Sequence, residues 1–385
     1  MQYRKFGKLD WQVSALGFGA MRLPTREGHN MSDQVMEEEA IAMIRRAIDG
    51  GVNYIDTAWP YHKGQSEVIV GKALQDGYRA RVKVATKAPI RFYKETGDFD
   101  RYLDEQLQRL QLDSVDFYLL HGINKDQWEN IALKLDLLSR AEAALADGRI
   151  KHLGFSFHDK LPVFKQILDS YDKWEFCQIQ YNYMDIENQA GTEGLQYAAA
   201  KGLAVVIMEP LLGGKLANPP QEIAAVMREA DPDRTPADWA LQWLWNQPEV
   251  SVVLSGMSTM QQVEENLASA ARSGSNTLSV SELAVIDEVR RQYLAKTLIP
   301  CTACAYCIPC PQNVAIPNCF KLYNDGYMYG ELNQPRHHYQ IFVAEDARAD
   351  NCVQCRICEE KCPQGIPISE WMPKVHSVLG EGQPY

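Results

Sequence analysis

The first 300 residues are almost without cysteine, Cys177 being the only one there, so no disulfide framework can hold that part of the chain together. Lysine and arginine form no run and are outnumbered, 39 against 50 Asp and Glu, for a formal net charge of -11. That balance argues against nucleic acid or an anionic membrane surface as the main partner. No apolar stretch free of charge approaches the length of about 18 residues that a membrane-spanning helix needs. The opening Met1-Gln2-Tyr3-Arg4-Lys5 lacks the apolar run of a signal peptide, and the cytoplasm is the expected location. Low-complexity segments are missing too. With 46% hydrophobic and 23% charged residues, global disorder is excluded. A chain of 385 residues has room for two or three domains, or for one large barrel and a smaller module.

What the sequence does hold is unevenly spread. Nine of the ten cysteines fall between Cys301 and Cys362, which in a reducing compartment reads first as metal or cluster ligation. From Ser14 to about Ala271, short β-rich runs alternate with helical patterns in eight repeats. The runs cover 16–21, 52–58, 82–87, 115–121, 150–156, 176–180, 204–208 and 250–254. Most are continuous apolar segments, as parallel strands buried on both faces require. Between them the helical period shows: Ile41, Ile44 and Ile48 share a face, with Glu38, Arg45 and Arg46 mostly on the other. Thr235 and Pro236 form an N-cap and first-turn pair that opens a further helix. A doubly wound open sheet also alternates strands and helices, but eight units in about 260 residues match a closed barrel. The fold class is therefore α/β, a (β/α)8 TIM barrel followed by a small cysteine-rich module. A loop at Arg272-Ser273-Gly274-Ser275 and a helix over 281–293 place the boundary near 295–300, giving a barrel over 1–297 and a module over 298–385.

In such a barrel the chemistry sits at the C-terminal strand ends. Asp56 closes the second strand, Tyr61 follows in its loop, Lys87 closes the third strand and His121 the fourth. Singly they read as a solvated acid, a loop tyrosine, a surface lysine and a core histidine; on one rim they form a set. The strings Tyr54-Ile55-Asp56-Thr57-Ala58, Gly64-Gln65-Ser66-Glu67, Ala85-Thr86-Lys87 and Leu119-Leu120-His121 resemble the aldo-keto reductase family over roughly residues 3–271. The resemblance implies hydride transfer between NAD(P)H and a small-molecule carbonyl or alcohol, with Tyr61 as general acid. The physical logic suits it. A tyrosine's reference pKa of about 10 is too high for easy proton exchange near neutrality. The Lys87 ammonium would lower it, Asp56 would keep Lys87 charged, and His121 would hydrogen-bond the carbonyl oxygen.

The same resemblance implies nucleotide contacts at Gly19 and Met21, which end the first strand, and at Ser156 and Gln178, which would hold the nicotinamide carboxamide. Several positions depart from the family pattern. Phe157 stands where an asparagine follows the serine, and Met208 where many members stack a tyrosine on the nicotinamide. Gly256 and Met257 stand where many members place a basic residue and a hydroxyl, and Gln262 replaces an arginine, while Asn266 matches the adenine contact. With no guanidinium or ammonium there to pair a 2'-phosphate, the expectation leans to NADH over NADPH. Trp59, in the loop before Tyr61, reads equally well as pocket wall or as simple packing.

Cys352, Cys355, Cys358 and Cys362 followed by Pro363 have the bacterial ferredoxin spacing C-x2-C-x2-C-x3-C-P. Upstream, Cys301, Cys304, Cys307 and Cys310 precede Pro311, with the last gap one residue shorter. Structural zinc usually takes two C-x2-C pairs from separated segments, which fits four evenly spaced cysteines poorly. Two runs that each end in Cys-Pro resemble a two-cluster ferredoxin domain. That resemblance implies two [4Fe-4S] clusters with exchanged fourth ligands: Cys301, Cys304, Cys307 and Cys362 for one, and Cys352, Cys355, Cys358 and Cys310 for the other. Cys319 is the spare, able to displace an assigned ligand, and Cys177 reads as a buried structural thiol. The strings Gln312-Asn313-Val314-Ala315-Ile316-Pro317 and Gln364-Gly365-Ile366-Pro367-Ile368 echo one another ahead of helices over 317–323 and 369–379. The whole chain resembles aldo-keto reductases with a C-terminal 4Fe-4S domain.

Nicotinamide moves two electrons as hydride and a cubane passes one, and no flavin site is evident to couple them. The clusters are then structural, or they serve an external redox partner protein, or a mediator joins them to the nucleotide. A second reading makes the chain a nucleotide-binding redox sensor or electron-transfer adaptor with little turnover. The departures at Phe157, Met208 and Gly256 feed that reading, and the intact Asp56, Tyr61, Lys87 and His121 oppose it.

Overall fold

The computed structural model describes residues 1–26 and 32–385. Strands β1 (Tyr3–Lys5) and β2 (Gln12–Ser14) pair antiparallel as a hairpin. Eight more follow: β3 (Leu16–Gly19), β4 (Tyr54–Asp56), β5 (Lys83–Ala88), β6 (Val115–Ile123), β7 (Ile150–Phe157), β8 (Phe176–Gln180), β9 (Ala204–Met208) and β10 (Val250–Ser255). They close into a parallel barrel in which β10 returns to pair with β3. Every bound lies within two residues of the sequence-predicted run, the largest differences being the extension of β6 to Ile123 and the shortening of β3 and β4. The hairpin is not anticipated by the sequence pattern. Phe6, between its strands, packs inside the barrel with its ring centroid 4.8 Å from that of Phe117 and 5.8 Å from that of Phe176, both pairs tilted.

The alternation of side chains along each strand explains where chemistry can gather. Tyr54, Ala85, Phe117, Leu119, Phe176, Ala204, Val206 and Val252 fill the barrel interior. Their neighbours Ile55, Val84, Tyr118, Leu120, Cys177, Val205 and Val253 face the surrounding helices. Counting two residues on from the interior set reaches Asp56, Lys87, His121, Gln178 and Met208 at the C-terminal rim, and Ser156 pairs with Gln178 across β7 and β8. Phe157 has the opposite parity. It is fully buried against Phe164, ring centroids 5.0 Å apart, and takes the outer face rather than the nicotinamide side.

By packing, the chain divides into Met1–Gly213 with Ala237–Ser279, and Gly214–Pro236 with Val280–Tyr385. The sequence-based boundary at 297 leaves the helix Val280–Ala295 with the barrel, whereas by packing it joins the second unit. There it lies against the helix Gln221–Ala230, with Lys296 paired to Glu222. In that unit the helix Ile316–Tyr329, longer than the sequence pattern indicates, packs on Asn333–Phe342 and Ile368–Leu379. Phe320, Tyr323, Tyr339, Met372, Val375 and Leu379 form its core. Buried Asn324 accepts from Ile299 N at 2.9 Å and donates to Ile299 O at 2.8 Å, anchoring the chain just ahead of Cys301. Among the described residues, no helix is long and apolar enough to cross a membrane.

Candidate active site

The rim of the barrel brings the four sequence-predicted catalytic side chains together. Lys87 is fully buried; its Nζ donates to Asp56 Oδ1 at 2.7 Å and to Thr57 O at 2.8 Å. The same Nζ lies 5.0 Å from the centroid of the Tyr61 ring. The Tyr61 and His121 rings meet edge to face, centroids 6.0 Å apart. Tyr61 is delivered by a tight turn, Tyr61–Gly64, in which His62, Lys63 and Gly64 all have positive φ. Buried His62 secures the turn: its Nδ1 donates to Ser32 O at 2.6 Å and its Nε2 accepts from Leu23 N at 3.2 Å. Gly64 has φ 93°, a left-handed conformation that favours glycine, and a Cβ there would press on the Arg109 guanidinium, 2.7 Å from Nη1.

Burial opposes the charge on Lys87, but Asp56 and the Tyr61 phenol outweigh it and hold the ammonium above its usual value. Burial lifts the Asp56 carboxyl, and Lys87 pulls it back. The pair is best read as ionised, because Lys87 has two acceptors in place and gains from keeping its charge. The phenol differs from expectation: burial raises Tyr61 above its ordinary value, and Lys87 only counteracts the rise. His121 is pushed well below its usual value by burial, then by the charges of Lys87, His158 and Arg91. It is therefore a neutral imidazole at neutral pH, able to donate one hydrogen bond.

A supporting layer escapes sequence reasoning. Fully buried Glu67 accepts from Thr86 Oγ1 at 2.6 Å and from Gln106 Nε2 at 2.7 Å, and Gln106 Nε2 lies 3.1 Å from Lys87 O. Arg109 sits 3.5 Å from Glu67 and donates to Trp59 O at 3.2 Å. Ser66 Oγ donates to Ala20 O and meets Thr57 Oγ1, each at 2.8 Å, binding the ends of β3 and β4. The only sequence signal for this layer is the Gly64-Gln65-Ser66-Glu67 string. Trp59 is packed by Phe92, Tyr102 and the Arg109 guanidinium.

The residues that the sequence suggests for a nucleotide lie at or just past the ends of β3, β7, β8, β9 and β10, and on the helix that follows β10. Gln178 Nε2 points at Met208 Sδ, 3.7 Å away, while Gln178 Oε1 is buried with no hydrogen-bond partner among the described residues. Ser156 Oγ, next to it across the β7–β8 pairing, accepts from Gly122 N at 2.7 Å. A buried amide oxygen that lacks a donor fits a carboxamide NH2, so these residues suit a nicotinamide. Asn266 donates to Ser255 Oγ at 3.0 Å. Gln262 Oε1 accepts from Ser258 N at 2.7 Å, closing the start of the helix Met260–Ala271. Gly19 lies against Ser255 and Gly256, where an added Cβ would stand 3.4 Å from Ser255 O; Met21 is half-buried beside it. One feature is invisible in the sequence of that loop. The Arg22 side chain lies across Gly256, its Cδ 2.9 Å from where a Cβ would stand, and its guanidinium is 3.8 Å from Glu209. A cation is thus beside Gly256 although the loop 256–262 contains none.

The second unit holds nine of the chain's ten cysteines, all but Cys177, and none of them is in a disulfide. Cys301, Cys304, Cys307 and Cys362 line one pocket with Ile316, Pro317, Phe320, Ile366 and Ile368. Burial raises the Cys352 thiol and pushes Cys358 up to about 11, with Cys310 adding to both, so Cys310 faces the other run. The two runs share a backbone pattern. Residues two and four past the first cysteine have positive φ in both, Ala303 and Ala305 in one, Gln354 and Arg356 in the other. Asn313 and Gly365, each three past the final cysteine, do as well. Such turns can point backbone N–H groups into a concavity that suits an anionic iron-sulfur cluster, and the set of Cys301, Cys304, Cys307 and Cys362 in its apolar pocket fits that group. Cys319 is fully buried in the helix core, away from the pocket lining.

The model of the aldo/keto reductase family matches residues 15–291, and that of a 4Fe-4S dicluster domain matches residues 300–366. The chain is similar to L-galactose dehydrogenase of Arabidopsis thaliana, 30% identical over 311 residues that cover 75% of this chain and 94% of the relative. It is also similar to the uncharacterized oxidoreductase YqkF of Bacillus subtilis, 27% identical, covering 70% and 91%. Similar solved structures include the holo form of aldo-keto reductase AKR11C1 from Bacillus halodurans, 27% identical with a TM-score of 0.62, covering 75% of this chain and 96% of that one. An aldo/keto reductase from Klebsiella pneumoniae, solved with NADP and acetate, is 25% identical with a TM-score of 0.60, covering 75% and 95%.

Proposed function

Because the chain belongs to the aldo/keto reductase family and is an oxidoreductase that carries a 4Fe-4S dicluster domain, we propose that its barrel reduces a small-molecule carbonyl at Tyr61, or oxidises the alcohol in reverse. The observation that carries this reading is the buried Lys87, held between Asp56 and the Tyr61 ring with His121 edge-on to the same ring. A bound nicotinamide nucleotide supplies or accepts the hydride, so that carbonyl, NAD(P)H and one proton give alcohol and NAD(P)+. Tyr61 hands its phenolic proton to the carbonyl oxygen. Lys87 favours the phenolate left behind, offsetting the burial that makes the phenol a weak acid. His121, neutral, orients the oxygen and stabilises its developing charge. Asp56 keeps Lys87 charged, and Glu67 with Gln106 fixes the backbone of β5 that carries Lys87.

Gln178 and Ser156 would hold the carboxamide, with the Met208 thioether against the ring. The cation-free loop 256–262 favours NADH, as read from the sequence. The Klebsiella relative binds NADP, and Arg22 across Gly256 is a candidate partner for a phosphate. We assign two [4Fe-4S] clusters to the thiol sets of Cys301, Cys304, Cys307 and Cys362, and of Cys352, Cys355, Cys358 and Cys310. When bound, they supply one-electron chemistry, and with no coupling group evident they are structural or serve an external redox partner. The test of the barrel reading is Tyr61→Phe: carbonyl reduction should be lost while nucleotide binding, followed by fluorescence titration, stays unchanged. Retained turnover would remove Tyr61 from the proposed role.

A further inference from the structure

Tyr61 and Lys87 sit on different elements, and the distance between them decides how far the ammonium favours the phenolate. Both are referenced to one buried carboxylate. Glu67, on the helix Gln65–Ala73, is fully buried, where a charge needs partners. Burial raises its carboxyl, and Thr86, Gln106 and Arg109 pull it back. Two chains of contacts lead from it. The first runs to Lys87: Tyr118 OH donates to Gln106 Oε1 at 2.8 Å, so Gln106 turns its Nε2 toward Glu67, Thr86 Oγ1 and Lys87 O, at 2.7, 3.0 and 3.1 Å.

The second runs to the loop of Tyr61 through Arg109, on the helix Asp98–Leu110. Its guanidinium pairs with Glu67 at 3.5 Å and with Glu105 one turn back, and its Nη1 donates to Trp59 O at 3.2 Å. It also lies 5.0 Å from the centroid of the Trp59 ring. The same group closes against Gly64, where a Cβ would stand 3.1 Å from Cζ. One guanidinium thus holds the chain two residues before Tyr61 and three residues after it. Between these holds His62 and Lys63 are left-handed, with φ 51° and 53°. Residues with a side chain keep that conformation only where their surroundings impose it. A planar fork of donors can span a carboxylate and a carbonyl together, a geometry that a single ammonium does not reproduce.

We infer that Arg109 is a positioning residue for Tyr61: through its holds on Trp59 and Gly64 and its pairing with Glu67, it sets the separation between the phenol and the Lys87 ammonium. This rests on the carbonyl reduction proposed above. Arg109 acts through the loop and exchanges no proton with the substrate. Its loss lets Tyr61 drift from Lys87, while the nucleotide residues at the ends of β7, β8 and β9 keep their places.

The experiment compares the wild-type holoenzyme with Arg109→Met and with the double variant Glu67→Gln, Arg109→Met, which removes both charges and leaves an amide oxygen for Thr86 and Gln106. The substrate is the aldehyde or ketone that the wild type reduces fastest in a panel. In Arg109→Met the single-turnover rate at saturating nucleotide should fall by roughly 10- to 100-fold, as a displacement of about 1 Å implies. The nucleotide Kd from fluorescence titration should stay within about twofold. The pH profile of alcohol oxidation, which needs the phenolate, should move to higher pH as less of the Lys87 charge reaches Tyr61; Asp56 and Glu209, which also act on the phenol, are untouched. The double variant should regain most of the wild-type melting temperature, since no buried charge is left unpaired, yet keep the low rate and the displaced profile. If Arg109→Met does not fold, the double variant carries the same test. A rate within about threefold of wild type in Arg109→Met would overturn the inference. Recovery of the rate along with stability in the double variant would overturn it too, by tracing the loss to an unpaired Glu67. A slow variant with an unmoved pH profile would separate Arg109 from the phenol and overturn it as well. No reduction of any carbonyl by the wild type would bring down the parent reading, and this one with it.

Discussion

Replacing Lys87 with methionine keeps much of the volume of the side chain and removes its charge from a site where almost no water can compensate, since both Lys87 and Asp56 are buried. Two effects follow and can be separated. The first is on the fold. Asp56 loses its partner, and one of its oxygens, Oδ2, already lacks a hydrogen bond among the described residues. Breaking one side of a buried pair typically costs about 3–5 kcal/mol. The second is on the chemistry. With the charge 5.0 Å from the Tyr61 ring, an effective dielectric of about 20 gives an interaction near 3 kcal/mol with the phenolate, or roughly two orders of magnitude in proton transfer. The double variant Asp56→Leu with Lys87→Met removes both charges, and replacing a buried pair by apolar groups is often neutral for stability. It should therefore recover most of the lost melting temperature while kcat stays depressed by ~100-fold or more, as a missing proton-transfer partner implies. Thermal denaturation and single-turnover reduction at saturating nucleotide measure the two effects. Turnover within about threefold of wild type in either variant would refute the role given to Lys87, and a double variant no more stable than the single one would refute the electrostatic account of the pair.

Further outcomes are expected. His121 and His62 both have depressed pKa values through burial, so the unfolded chain binds protons that the folded one refuses. Their contribution to stability is present above the unfolded histidine value of about 6.5 and is lost as pH falls below it, at up to about 1.4 kcal/mol per pH unit for each. His121→Asn should flatten the part of a denaturation series between pH 7.5 and 5 that belongs to His121. Cys310→Ser should deprive the set of Cys352, Cys355 and Cys358 of its fourth ligand and lower bound iron from about eight toward four per chain, with the other set intact; unchanged iron content would reassign Cys310. Arg22→Gln should weaken NADPH binding by ~10-fold or more with little effect on NADH if the guanidinium pairs with the 2'-phosphate. Equal loss for both nucleotides would place it on the diphosphate instead.

Much of this architecture can be read without coordinates, because buried parallel strands announce themselves as apolar runs, and eight runs at helix-sized intervals leave few ways to close. The runs at 176–180 and 204–208 coincide with β8 and β9. Asp56, Tyr61, Lys87 and His121 are legible because they follow strand ends, where the fold itself singles out polar residues. What hides is whatever depends on contacts between distant segments. Nothing in the sequence around Gln106 or Arg109 says that these helix residues reach Glu67 and the backbone of β5 and the Trp59 loop. Arg22 is 234 positions from the loop it crosses, so a loop that lacks a cation in sequence has one beside it in space. The phenol pKa is a similar case: a lysine neighbour can be inferred from strand order, while the depth of burial that outweighs it cannot. The hairpin of β1 and β2 is missed because strands of three residues carry too little periodicity to register. In the second unit, the repeated spacing of cysteines and the echo after each Cys-Pro show the internal duplication, which the matched positive-φ residues then reproduce in the backbone.

The most direct measurement of hydride transfer at Tyr61 uses nicotinamide nucleotide carrying deuterium at both C4 positions, supplied as NADH and as NADPH to anaerobically purified protein together with a panel of aldehydes and ketones. Mass spectrometry of the alcohol then locates the label. The expected result is one deuterium on the new carbinol carbon with wild type and no labelled alcohol with Tyr61→Phe. Unlabelled alcohol from the wild type, or equal labelling by Tyr61→Phe, would contradict the assignment.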